Sequence, residues 1–188
     1  MKKTILASSS PRRKQLLSNI VEKFEVISPK YDESKYHLKA KPSSIEKLSL
    51  LKAKSISVNL SVSAFVISAD TVVICDNEIM GKPKSRQEAY HMLKTLSGHT
   101  HRVITGVAFI DTDLKKEMTA SAVTYVTFNQ LSDEDIWNYI DTKQPFDKAG
   151  SYGIQELPEN FVRSLKGEFD NVIGLPTKIL INMFKTIN

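Results

Sequence analysis

The chain has 188 residues, 41% hydrophobic and 25% charged, with a formal net charge of +5, one cysteine and four histidines. That length and composition describe an ordinary soluble protein with enough apolar residues for one substantial core, expected as one compact unit over residues 1–188. An internal disulfide is excluded and a Cys/His zinc site is disfavoured; no run of about 18 apolar residues is available to span a bilayer, so a cytoplasmic protein is expected. The positive balance favours anionic partners, but the basic residues are not gathered into one block, which argues against a nucleic-acid-binding arm.

Thr4 to Ala7 reads as a short buried strand, and Ser10 as the cap of a helix that begins at Pro11 and turns Leu16, Leu17 and Ile20 inward. The string SSSPRR is therefore a strand-to-helix joint. Phe24 to Ile27 is a second strand, followed by a polar loop carrying Glu33. Ser43 and Glu46 have capping-box spacing for a helix to about Ser57, which carries Lys52 and Lys54. Phe65 to Ala69 and Val72 to Cys75 read as strands interrupted at Asp70-Thr71, with a turn at Asp76-Asn77 leading toward Met80.

Ser85 and Glu88 repeat the capping pattern for a helix ending near Gly98, after which Arg102 to Ile110 and Met118 to Phe128 form a long hairpin. Ser132 caps a further helix containing Trp137 and Tyr139, residues 145–176 read as Gly- and Pro-rich loops, and Pro176 opens a terminal helix. Interleaved helices and strands predict an α/β fold with a mixed, twisted sheet covered by helices, the hairpin adding a second lobe beside a cleft. Cys75 is expected to be a packing residue.

Several stretches carry residues suited to phosphate chemistry. A helix N-terminus with free backbone N–H groups, serine hydroxyls and the Arg12 and Arg13 guanidinium groups can cradle a phosphate, although a capped helix with solvated arginines has the same sequence. Asp70 at a strand end can bind a divalent ion or take a proton from water, or simply form a turn with Thr71. In GKPKS, Gly81 and Pro83 would present Lys82 as a fixed cation; in KAGSYGIQ, Tyr152 supplies a flat wall and Gln155 an amide for a nucleobase. Neither GxxxxGK[ST] nor GxGxxG occurs.

The order of these strings, SxSPRR, a loop Glu, KA on a helix, SADTVV, GKP, LSG, TG, KAGSYGIQ and NVIGLP, resembles the Maf family of nucleoside triphosphate pyrophosphatases from Ile5 to Pro176. The resemblance implies an elongated α/β fold related to the inosine triphosphate pyrophosphatases, with two lobes around a central cleft. It implies hydrolysis between the α- and β-phosphates to a nucleoside monophosphate and pyrophosphate, with a divalent cation, Mg²⁺, Mn²⁺ or Co²⁺. By motif, Ser8, Arg12 and Arg13 would hold phosphate, Lys52 and Lys82 would add cations, and Glu33 with Asp70 would serve the metal and the attacking water, Asp70 as proton acceptor.

The KAGxYxIQ string is similar to the branch acting on dTTP and UTP rather than on 7-methyl-GTP, and Arg12, Thr71 and Gln155 match the positions linked to that choice. Modified pyrimidine nucleotides belong to the same expectation. Two departures add negative charge near the expected phosphate site: Glu156 where the family prefers glycine, and Glu168 to Asp170 where small or hydroxyl residues stand. Members are often dimers, which keeps a homodimer open. The alternatives are a nucleotide-binding regulator of septum formation without turnover, and a nucleic-acid-binding module.

Overall fold

The computed structural model describes residues 2–187, the side chain of Ser34 excepted. It is a mixed α/β protein whose seven-stranded sheet has the order β2-β1-β3-β5-β6-β7, with β4 hydrogen-bonded to β3. The elements run β1 (Lys3–Ala7), α1 (Pro11–Ser18), β2 (Glu25–Ile27), α2 (Pro42–Ser57), β3 (Ala64–Cys75), β4 (Glu78–Met80), α3 (Arg86–Leu96) and β5 (Thr100–Asp111). They continue with β6 (Lys116–Phe128), α4 (Asp133–Lys143), β7 (Val162–Lys166), α5 (Phe169–Ile173) and α6 (Thr177–Ile187). Among the described residues no helix is long and apolar enough to cross a membrane.

The chain divides into two compact units whose boundaries fall inside β3, β5 and β6 and between α5 and α6. The first comprises residues 1–70, 105–122 and 174–188. Here β1 pairs in parallel with β2 and with β3, in the register Ile5↔Glu25 and Ile5↔Val66. Both faces of β1 at Ile5–Ala7 and of β3 at Val66–Ala69 are buried, so these stretches read as largely apolar runs rather than alternating ones, whereas Glu25 and Val26 of the edge strand β2 are exposed. Ile5, Ala7, Val66, Ala108 and Ile110 meet Ala53 and Ile56 of α2. Phe65 and Phe109, one residue out of phase with Val66 and Ala108, pack instead against Phe184 of α6, with ring centroids 5.2, 6.0 and 4.9 Å apart in the three pairs.

The second unit comprises residues 71–104 and 123–173. Its core gathers Val73, Cys75, Leu93, Leu96, Phe128, Ile136, Tyr152 and Phe161 from β3, α3, β6, α4 and the segment after it. Cys75 is a buried free thiol, as the sequence led us to expect. Asp76 and Asn77 have φ of 48° and 66°, the left-handed pair that a two-residue hairpin turn requires, and the turn sets β4 antiparallel to β3 with Cys75 opposite Glu78.

Several local expectations are revised. β3 runs unbroken through Asp70-Thr71, because ladder pairing carries the backbone past Asp70, a residue of low strand propensity, and the β-branched Thr71 itself suits a strand. The capping box at Ser43 does not form: Pro42, whose fixed φ suits the first helical turn, starts α2 with Lys41 in the cap position, two residues before Ser43. Glu46 then accepts hydrogen bonds from Ser121 Oγ (2.6 Å) and Thr119 Oγ1 (3.4 Å). The hairpin of β5 and β6 does not form a lobe by itself, since its tip, residues 105–122, belongs to the first unit. Residues 145–176 contain β7, antiparallel to β6, and the short α5. By contrast, the caps at Ser10, Ser85 and Ser132 are those the sequence predicts, the last with a full box closed by Asp135.

Candidate active site

β1 stops at Ala7 and the chain turns into α1 through three serines, two of which organise the joint. Ser8 is almost fully buried, and its Oγ accepts from the Ser10 N–H (3.1 Å) and from Arg13 Nη1 (3.4 Å). Ser10 Oγ accepts from the Arg13 N–H (3.4 Å), and Arg13 Nε donates to the Gly174 carbonyl (2.8 Å). The arginine is thereby held on both edges at the positive end of a helix. Burial works against its charge and lowers its pKa, Asp70 and Glu33 support the cation, and the neighbouring Arg12 opposes it. A guanidinium stays protonated through such shifts, so the positive charge persists.

Lys52 reaches the same region because α2 lies very close to β5. A Cβ on Gly106 would fall 2.6 Å from the Ile45 carbonyl carbon and the Glu46 nitrogen, and Ser49 Oγ donates to the Gly106 carbonyl (2.8 Å). One helical turn beyond Ser49, on the same face, Lys52 is forced inward and is 7% exposed. Its Nζ meets Glu33 Oε1 at 2.9 Å and donates to Asp70 Oδ1. Thus Ser8, Arg13, Glu33, Lys52 and Asp70 converge within the first unit, from the β1–α1 joint, a 3₁₀ turn at Glu33–Lys35, α2 and β3.

Among the described residues there is no group of three or more His, Cys, Asp or Glu side chains that could hold a metal ion. Glu33 and Asp70 nevertheless fit a divalent cation: both are carboxylates and both already meet one cationic atom, Lys52 Nζ. Hard ions such as Mg²⁺ commonly use one or two carboxylates and complete their shell with water and phosphate oxygens.

Thr71, Lys82 and Gln155 belong to the second unit. Thr71 follows Asp70 on β3 and is half-buried. Lys82 is exposed, has no ion-pair partner among the described residues, and precedes the buried Pro83. The loop is joined to the segment bearing Gln155 by a hydrogen bond from the Gly150 N–H to the Gly81 carbonyl (3.0 Å). Gly150 has φ +67° and sits on Val73, whose methyl carbons would be 2.9 Å from any Cβ, so only glycine fits. Gln155 lies in a 3₁₀ turn, Ile154–Glu156, exposed and without a hydrogen-bond partner among the described residues.

Tyr152, offered by the sequence as a flat wall for a base, is instead a core residue, and it holds this segment together with three residues that the sequence reading passed over, His101, Tyr139 and Lys148. Tyr152 is buried with its hydroxyl 2.7 Å from His101 Nε2, and the Gly153 N–H donates to Tyr139 Oη (3.1 Å). Lys148 is nearly buried, with Nζ 2.8 Å from Asp147 Oδ1 and 3.2 Å from Glu156 Oε2. Glu156 therefore carries its own counter-ion. Asp170 lies in the first turn of α5, where the helix end favours a carboxylate. Lys148, Gly106 and Gly174 all stand inside the strings KAGSYGIQ, TG and NVIGLP, and that was the signal available; His101 and Tyr139 had none.

Residues 3–187 match the model of a family described as Maf-like protein. The dTTP/UTP pyrophosphatase of Alkaliphilus oremlandii is 50% identical over 176 residues, covering 94% of this chain and 91% of its own. That of Ruminiclostridium cellulolyticum is 42% identical over 189 residues, covering 100% and 97%. Among solved structures, the Ham1 protein of Staphylococcus aureus aligns with a TM-score of 0.48 at 15% identity, over 68% of this chain and 72% of that one.

Proposed function

The chain belongs to the Maf family, and from that membership we propose that it is a nucleoside triphosphate pyrophosphatase acting on dTTP and UTP, modified pyrimidine nucleotides included. Residues 1–188 serve as one catalytic domain. The observation that carries the reading is the meeting of Arg13, Lys52, Glu33 and Asp70 at the N-terminus of α1. Two cations beside two carboxylates suit a reaction in which a polyanion must be neutralised while a water is deprotonated next to it.

In this mechanism the α1 N-terminus with Ser8, Arg12 and Arg13 binds the phosphate chain. Arg13 arrives already oriented by Ser8 and Gly174, so little ordering is needed when substrate binds. Lys52 and Lys82 add positive charge, Lys52 sharing its ammonium between carboxylate and phosphate oxygens. Asp70 accepts a proton from the attacking water; the water oxygen bonds to phosphorus, the bond between the α- and β-phosphates breaks, and pyrophosphate departs. Glu33 and Asp70 would hold a divalent cation, Mg²⁺, Mn²⁺ or Co²⁺, which neutralises phosphate charge and lowers the pKa of bound water. Thr71, Arg12 and Gln155 select the base, Gln155 through its amide.

The reading places the enzyme in the cytoplasm with a nucleoside triphosphate as partner and no nucleic acid; sedimentation decides between monomer and homodimer. The test is pyrophosphate release from a panel of triphosphates with each of the three metals, alongside Asp70→Asn. Release from dTTP and UTP is expected, falling by roughly 10²-fold or more in a variant that still folds. Nucleotide binding without turnover would overturn the reading in favour of a regulator. Steeply salt-dependent DNA or RNA binding without phosphate release would favour a nucleic-acid module.

A further inference from the structure

Glu156 directly follows Gln155, and its carboxylate is held by Lys148, whose side chain is only 8% exposed. The lysine stem also covers Gly153 so closely that a Cβ there would lie 2.8 Å from Lys148 Cε. On the other side the Gly153 N–H is fixed by Tyr139. The turn bearing Gln155 is therefore gripped at residue 153 and at residue 156, while the amide between them stays exposed.

We propose that Lys148 is a positioning residue for base selection, acting through Glu156 and Gly153 to hold Gln155 in one orientation toward a uracil or thymine edge. The inference rests on the reading that Gln155 contacts the base. Its physical ground is the two-sidedness of an amide, which carries two N–H donors on nitrogen and an acceptor on oxygen. The uracil and thymine edge offers carbonyl acceptors around one N–H; cytosine offers an amino donor and a ring-nitrogen acceptor. An amide on a loose turn can satisfy either pattern by swinging over. One on a fixed turn leaves the wrong base with a buried polar group unpaired, and that is where discrimination arises.

The experiment compares kcat/KM for dTTP and dCTP in the wild type, Lys148→Met, Glu156→Gln, Gln155→Ala and the double variant Lys148→Met/Gln155→Ala. Lys148→Met and Glu156→Gln are each expected to reduce the dTTP preference about tenfold, through KM for dTTP with kcat little changed, the size expected when a binding group is misplaced. Gln155→Ala is expected to lose the preference, and adding Lys148→Met to it to change nothing more. A merely structural lysine would instead lower turnover of both nucleotides alike and add its loss in the Gln155→Ala background; either result overturns the proposal. Should Gln155→Ala select like the wild type, the base-contact reading falls and takes the proposal with it. Should Gln155→Ala lose selectivity while the other two single variants keep it, the proposal alone falls. If Lys148→Met does not fold, Glu156→Gln, altered at the more exposed end of the pair, decides by itself.

Discussion

Lys52 on α2 and Asp70 on β3 form an ion pair with side chains only 9% and 13% exposed, and Glu33 reaches the same ammonium from a surface turn. A charge pair this far from water contributes little by forming but costs much when one partner is taken away.

Lys52→Met should therefore destabilise the protein by about 2–3 kcal/mol, below the usual cost of breaking a buried pair because Arg13 still supports Asp70. The double variant Lys52→Met/Asp70→Asn should recover more than half of that loss. Urea unfolding at pH 7 measures both. A double variant no more stable than Lys52→Met would mean that Asp70 is adequately solvated or paired elsewhere.

Gly106→Ala tests the close approach of α2 to β5. The added carbon would meet backbone atoms of Ile45 and Glu46 at 2.6 Å, and neither can rotate aside as a side chain would. Overpacking of this kind costs about 1–3 kcal/mol. Because the helix must shift to make room, and Lys52 travels with it, pyrophosphate release should fall in the same variant. A thermal melt together with a dTTP assay reads both, and unchanged turnover in a destabilised protein would separate α2 packing from Lys52 placement.

His101 predicts an acid-side loss of stability. Burial beside Tyr152 and Phe128 lowers its pKa from the ordinary 6.5 to about 4, so the folded protein holds it neutral while the unfolded chain protonates it. Between those two values the unfolded state binds more protons. Its contribution is complete above pH 6.5 and is lost progressively as pH falls toward 4, a total of about 3 kcal/mol. Denaturant titrations from pH 7 to 4.5 should show that slope in the wild type and a flatter one in His101→Gln. Equal slopes would place the proton uptake on other groups.

What the sequence by itself determined is chiefly local. The serine caps, the Pro11 helix start and the left-handed Asp76-Asn77 turn depend on interactions within a few residues, and propensity reports them directly. The ordered strings along the chain also pointed to the family, which the match over residues 3–187 bears out. Only tertiary structure decided that Asp70 lies within a continuous strand, since the neighbouring strands supply the ladder. The inward position of Lys52 likewise depends on Gly106, 54 positions later in the chain, admitting helix backbone. A lysine at the edge of an apolar stripe has the same local sequence whether it faces water or a carboxylate. The choice is made by how near two distant backbones can come, and no short-range pattern encodes that distance.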